Sequence, residues 1–259
     1  MRILVIGGTG EVGRHVVAAL LGRGHDVTVL SRRGGTPDGR AVGCAGDLQT
    51  GAGLPAALDG VDTVIDVANV TTTNRDKAVR YFTGSMDMVG RLGSAAGVGH
   101  LLVLSIVGCD RVKLGYYEGK VAQERAALGG PVPATVLRAT QFHEFAGQNL
   151  SRFRLGPVAL MPGMRCQPIA ASEVATVLAD LAEKPAAGGR AADIGGPGVE
   201  WLPDMARAVS ERLGPRTRVV PLRMPGALGR AVRGDGLLLD SEGVARGPSF
   251  QEWLAAAAG

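Results

Sequence analysis

The stretch Gly7-Gly8-Thr9-Gly10-Glu11-Val12-Gly13 carries the sharpest chemistry-bearing spacing in the chain. It contains Gly8-x-Gly10-x-x-Gly13, overlapped by Gly7-x-x-Gly10-x-x-Gly13, and it follows the strand-like run Ile3-Leu4-Val5-Ile6. Each glycine of such a loop answers a separate need: a tight turn, close approach of backbone to a pyrophosphate, and close packing of helix on strand. The helix that follows presents unpaired N–H groups and a partial positive charge to phosphate. A tight strand-to-helix turn with no ligand is the plainer alternative. The amphipathic run Val12, Val16, Val17, Leu20 and the second strand beyond it supply the context a dinucleotide loop requires.

The second strand ends Val29-Leu30-Ser31-Arg32-Arg33, where a site for the ribose 2′-hydroxyl would place an acid. Ser31 can donate a hydrogen bond, and a guanidinium at Arg32 or Arg33 can fork onto a 2′-phosphate. This predicts NADP(H) rather than NAD(H), with the particular arginine unassigned. Of 28 basic residues only four are lysines, so a solvated arginine loop is the alternative.

These loops need a scaffold, and the pattern of the first half provides one. Strand-like runs at Ile3 to Ile6, Val27 to Leu30, Ala41 to Cys44, Thr63 to Val67, His100 to Ser105 and Thr135 to Leu137 alternate with helical spacing. The helical segments are Val12 to Leu21, Leu54 to Leu58, Asp76 to Ala96 and Lys120 to Leu128. Alternation with right-handed crossovers predicts an α/β fold, a Rossmann-type doubly wound parallel sheet whose ligand crevice lies at the strands' carboxyl ends. Residues 1–150 are expected to form the dinucleotide-binding domain and 151–259 a small C-terminal substrate lobe packed on it as one structural unit. That lobe should hold a helix from Ser172, its N-cap, to Glu183, a strand from Ala191 to Ile194, and a helix from Leu202 to Leu213. The stretch Gly214 to Gly247 reads equally as a lid, a helix pair or an oligomer contact.

Composition bounds the function classes. With 259 residues, 46% hydrophobic and 20% charged, the chain can bury a full core. No apolar run approaches the roughly 20 residues that span a bilayer, so no membrane is expected as a partner. The start of the chain has no apolar signal region, which makes a cytoplasmic location the default. Cys44, Cys109 and Cys166 are widely spaced with no histidine at ligand distance, so buried thiols are expected and neither disulfides nor a metal site. The net charge of +4 is scattered without interleaved aromatics, which argues against nucleic acid.

Four further segments join the glycine loop: Gly46-Asp47-Leu48, Leu104-Ser105-Ile106-Val107-Gly108, Tyr116-Tyr117-Glu118-Gly119-Lys120, and Arg138-Ala139-Thr140-Gln141-Phe142. With Gln167-Pro168-Ile169-Ala170, they make residues 1 to 200 resemble the short-chain dehydrogenase/reductase superfamily, and most of all its atypical, NmrA-like NAD(P)-binding branch. The last sixty residues match only in layout. The resemblance implies that Asp47 and Leu48 border the adenine, although Asp47 also reads as a helix cap. It implies that Ala68 and Asn69 line the ribose and pyrophosphate beside Gly7, Gly8, Thr9, Gly10, Glu11 and Val12. It implies too that Tyr116 and Lys120, four apart on one helical face, act as a unit. The ammonium would hold the nicotinamide ribose and lower the phenol's pKa, and the phenol would donate a proton to a carbonyl oxygen. Ser105 precedes Tyr116 by fewer residues than the superfamily's usual serine, which weakens it as the third catalytic residue.

The substrate crevice is expected between Asn69 to Thr73, Ile106 to Tyr116, and Gln141 to Phe145. Phe142 and Phe145 form either an apolar or aromatic substrate wall or helix core at i and i+3. His143 beside Glu144 is either a proton relay or a packing residue, and Met161, Met164 and Phe153 are lining or core filler. The expected function is NADPH-dependent reduction of a carbonyl or quinone-like small molecule. The alternatives are a non-catalytic NADP(H)-sensing regulator and a cofactor-retaining epimerase or dehydratase. The oligomeric state is not legible.

Overall fold

The computed structural model describes residues 1–214 and 216–258. In chain order the elements are β1 (Arg2–Ile6), α1 (Glu11–Gly22), β2 (Asp26–Ser31), β3 (Val42–Ala45), α2 (Leu54–Ala57), β4 (Thr63–Asp66), α3 (Arg75–Ala95), β5 (His100–Ile106), α4 (Gly115–Leu128) and β6 (Ala134–Ala139). There follow α5 (Phe145–Arg152), β7 (Arg154–Leu155), β8 (Val158–Pro162), β9 (Arg165–Cys166), α6 (Ala171–Ala182), β10 (Gly189–Arg190), β11 (Ile194–Gly195) and β12 (Glu200–Trp201). The chain ends with α7 (Leu202–Arg212), β13 (Arg218–Leu222), α8 (Gly226–Arg233), β14 (Val244–Ala245) and α9 (Phe250–Ala258). Two compact units form, and they interleave in sequence. The first comprises Met1–Ser105, Leu114–Arg138 and Ala171–Ala191, and the second Ile106–Lys113, Ala139–Ala170 and Ala192–Gly259.

In the first unit the strands run β3-β2-β1-β4-β5-β6. β1 pairs in parallel with β2 and β4, β2 with β3, and β4 with β5. This is the doubly wound Rossmann order, and it reverses between β1 and β4, where the ligand crevice of such sheets opens. The register places Ile6 beside Asp66, so the strand end that launches the glycine loop and the end of β4 are neighbours.

Strands buried on both faces must be apolar on both. Leu4, Ile6, Leu30, Val64, Leu101, Val103 and Val136 share one core with Leu54 and Leu58 around α2 and Met86 and Val89 of α3. The alternate residues Ile3, Val5, Val29 and Ile65 are equally buried, as is the stripe Val12, Val16, Val17, Leu20 of α1. Arg23, just past α1, pairs with Asp180 at 2.6 Å and Glu183 at 3.2 Å, and so ties α1 to α6. A buried fork locks α4 to β6: Arg138 donates through Nε and Nη2 to Glu124 at 2.8 and 2.7 Å.

In the second unit β11 pairs with β14, and Ile194 also with Ala139. β8 pairs with β7 and β13 in a separate three-stranded sheet. Arg111 donates to the carbonyl of Leu238 at 2.6 Å, which pins the loop beyond β5 to the segment before β14.

Several expectations need correction. α6 begins at Ala171, so Ser172 lies inside the helix and is not its N-cap. The strand expected over 191–194 is split into β10 and β11, because pairing with β6 lapses between Arg190 and Ile194. Between 214 and 247 the described residues hold one helix, α8, and not a helix pair. Cys109 and Cys166 are buried, but Cys44 at the sheet edge is only partly so.

Candidate dinucleotide and catalytic site

The glycine loop has the geometry its spacing demands. Gly7 sits at φ +80°, where a side chain is strained, and a Cβ on it would lie 2.9 Å from Ala68 N and Cα. A Cβ on Gly13 would collide with the Gly7 carbonyl, so α1 can approach β1 this closely only through glycine. Gly10 is the N-cap of α1, has no side chain to satisfy the first-turn N–H groups, and faces open space apart from the Gly7 oxygen. The loop is therefore a cradle of backbone donors at the end of a 12-residue helix, and it fits a dinucleotide pyrophosphate. Thr9 is exposed and Val12 buried at the helix entry, while Glu11 pairs with Arg14.

At the end of β2, Ser31 Oγ donates to the Gly35 carbonyl at 3.2 Å, and Arg32 and Arg33 are both exposed. Asp47 Oδ1 accepts the Gln49 N–H at 2.6 Å, whereas α2 begins only at Leu54 with Gly53 as N-cap. Asp47 therefore caps a local turn and not the helix. Leu48 is buried. Tyr81 of α3, which no sequence argument singled out, stands in this same neighbourhood. Burial and the charges of Asp66 and Asp47 push its phenol upward, while Arg32 pulls it down. Its scarcity, as one of three tyrosines, was the available signal.

α4 starts at Gly115, five residues before the expected Lys120, because Leu114 is extended and Gly115 packs without a Cβ against the Thr73 carbonyl and Arg75. Tyr116 and Lys120 thus share one helix, one turn apart. Gly119, between them in sequence, lets α4 approach Ala78 of α3. Tyr117 is buried, whereas Tyr116 is half-buried and its phenol donates to Asn69 Oδ1 at 2.8 Å. Lys120 is 4% exposed; its Nζ donates to the Leu104 carbonyl at 2.7 Å and to Gln123 Oε1, and lies 4.8 Å from the centre of the Phe82 ring. Asn69 and Ala68 come from the end of β4 and Lys120 from α4, so the switch point gathers glycine loop, tyrosine and lysine. Ser105 is buried, and its hydroxyl donates to Glu124, the carboxylate already forked by Arg138.

In the second unit Phe142 forms a bridge with Ile169 and Phe145 is the first residue of α5, so the two do not share a helix. Both are half-buried. His143 is fully buried: its ring stacks on Trp253 at 5.2 Å and lies 5.9 Å from Phe250, and Nε2 meets the Pro248 carbonyl at 3.2 Å. Burial pulls its pKa down to about 4, the behaviour of a packing residue and not of a relay. Met161 and Met164 are buried core, while Phe153 is 37% exposed. Among the described residues no group of three or more His, Cys, Asp and Glu could hold a metal ion. No described helix is long and apolar enough to cross a membrane.

A Rossmann sheet with a glycine cradle at its switch point defines a dinucleotide-binding protein. The family model described as NAD(P)H-binding matches residues 7–185, and the chain belongs to that family. Among curated proteins it is 34% identical over 153 residues to "Sterol-4-alpha-carboxylate 3-dehydrogenase, decarboxylating" of Bos taurus, covering 51% of this chain and 42% of that one. It is 28% identical over 254 residues to "Divinyl chlorophyllide a 8-vinyl-reductase, chloroplastic" of Oryza sativa subsp. indica, covering 87% and 62%. The chain thus spans less than two thirds of the length of either. These relatives bear out the resemblance to the atypical short-chain dehydrogenase/reductase group. A solved structure, "MoeE5 in complex with UDP-glucose and NAD", superposes with a TM-score of 0.74 at 19% identity over 99% of both chains, which shows the shared fold.

Proposed function

We propose that this protein is an NADP(H)-dependent reductase of a carbonyl or quinone-like small molecule. The observation that carries the reading is the pair on α4: a buried ammonium at Lys120 one turn from a half-buried phenol at Tyr116. When bound, the nicotinamide supplies or accepts hydride. Gly7, Gly8, Gly10 and the first turn of α1 would hold the pyrophosphate, and Ala68 and Asn69 its ribose side. Arg32, Arg33 and Ser31 would receive the 2′-phosphate. Lys120 would orient the nicotinamide ribose and, through its charge, lower the pKa of Tyr116, whose phenol gives its proton to the substrate oxygen.

A second reading stands beside it, a cofactor-retaining epimerase or dehydratase. It is favoured by the full-length likeness to a protein described in complex with UDP-glucose and NAD, and a phenol that gives a proton to an alkoxide oxygen can also take one back, as a transient oxidation requires. Anaerobic NADPH consumption against quinones, aromatic ketones and aldehydes, with product analysis of a parallel nucleotide-sugar incubation, separates the two. Net NADPH consumption is expected. A nucleotide sugar converted with no net change in added dinucleotide would replace the reductase reading with the second.

A further inference from the structure

Asp66 takes no part in the chemistry described so far, yet it is 1% exposed and at the centre of the site. It ends β4 beside Ile6 of β1. One of its oxygens accepts the Ala68 N–H at 2.9 Å, which fixes the turn against which Gly7 packs. Its other oxygen accepts from Gln123 Nε2 at 2.9 Å. The far end of that carboxamide, Gln123 Oε1, accepts from Lys120 Nζ. Gln123 is 1% exposed, so this chain of three side chains runs through the interior.

A carboxamide has a donor end and an acceptor end of nearly the same shape, and its neighbours decide which way it points. Here an ammonium, which only donates, stands at one end. A carboxylate whose two oxygens both accept from N–H groups stands at the other. The Gln123 amide must turn its NH2 to Asp66 and its oxygen to Lys120. Reversed, it would set two acceptors face to face at Asp66 and two donors face to face at Lys120. Burial raises the pKa of Asp66, while the Lys120 charge and the two N–H donors oppose that shift. Other ionisable groups border the chain: Tyr81 of α3, which feels Asp66, Arg32 and Asp47; Tyr116, one turn before Lys120; and Glu124, held by Arg138.

We propose that Asp66 and Gln123 are positioning residues for Lys120: the carboxylate fixes the direction of the carboxamide, and the carboxamide oxygen holds the ammonium charged and in place. This rests on the reading of Lys120 as the group that orients the ribose and tunes Tyr116. Its consequence is that the proton affinity of Lys120 is set by a residue that need touch neither cofactor nor substrate.

The test reads Lys120 directly and without turnover. The chain has only four lysines, Lys77, Lys113, Lys120 and Lys184, so a carbon-13 label at lysine Cε gives four titrating signals, and Lys120→Arg assigns one of them. In Asp66→Asn the new amide keeps its oxygen for Ala68 and turns its NH2 on Gln123. The Gln123 amide then reverses and presents its own NH2 to Lys120. The Lys120 midpoint should fall by one pH unit or more, a tenfold loss of proton affinity. Adding Gln123→Glu to Asp66→Asn returns an acceptor to Lys120 and should restore the midpoint. An unmoved midpoint in Asp66→Asn, or a double variant as perturbed as the single one, overturns the proposal. If Asp66→Asn does not fold, Gln123→Met removes the link at similar side-chain length, and an unmoved midpoint there is equally decisive. A protein that reduces no acceptor but shows these shifts refutes the reductase reading alone. A competent reductase whose Lys120 ignores Asp66 and Gln123 refutes this proposal alone.

Discussion

The phenol of Tyr116 donates to Asn69 Oδ1 at 2.8 Å, so the loop after β4 and the first turn of α4 meet at the group that would exchange a proton. Asn69 is exposed, and replacing it should cost the fold little. Asn69→Asp places a negative charge against the phenol and disfavours its ionised form. The alkaline limb of the kcat profile should move to higher pH, with thermal stability close to that of the parent. The pH dependence of single-turnover reduction measures this.

Arg32 and Arg33 follow a strand end that carries no acid, and both are exposed. A hydrogen bond to a charged group contributes about 1.5–3 kcal/mol, or roughly tenfold to a hundredfold in affinity. Arg32→Ala with Arg33→Ala should weaken NADPH by about that factor and leave NADH nearly unchanged. Titration of both dinucleotides by nicotinamide fluorescence checks it. Equal losses for the two would remove the phosphate assignment.

The Arg138 and Glu124 fork is a stability element. Both side chains are at least nine-tenths buried, and removing one partner strands the other's charge, at a cost of about 3–5 kcal/mol. Arg138→Met should therefore destabilise the protein strongly in a denaturant titration. Arg138→Met with Glu124→Leu should recover much of the loss, because no buried charge remains unpaired.

His143 makes stability depend on pH. Its pKa is pulled down from 6.5 to about 4 in the folded chain, so between those values the unfolded chain binds more protons. Stability is then fully present above pH 6.5 and is lost progressively as pH falls toward 4, by at most about 3 kcal/mol from this group. Denaturant midpoints measured from pH 4 to 7 should slope upward, and His143→Phe should flatten that slope.

What was legible in the sequence was what depends on local spacing. Glycines at 7, 8, 10 and 13 serve turns and contacts within a few residues of themselves, and Tyr116 and Lys120 share a helix face by arithmetic alone. The strand order followed because alternating strands and helices admit few topologies. The rest depended on long-range register. Asp66 and Gln123 are 57 residues apart and meet only where α4 comes against the end of β4. His143 was ambiguous because the rings that enclose it, Phe250 and Trp253, lie a hundred residues later. Phe142 and Phe145 have helical spacing, but the bridge from Phe142 to Ile169 postpones the helix until Phe145.

The role of Tyr116 as proton donor to the substrate oxygen, beside a bound dinucleotide, is tested most directly by one comparison. NADPH consumption by the parent and by Tyr116→Phe should be followed without oxygen on the same acceptor, with NADPH affinity measured in parallel. A general acid contributes about a hundredfold to ten-thousandfold, so turnover should fall within that range while affinity changes little. Turnover preserved in Tyr116→Phe would contradict the account.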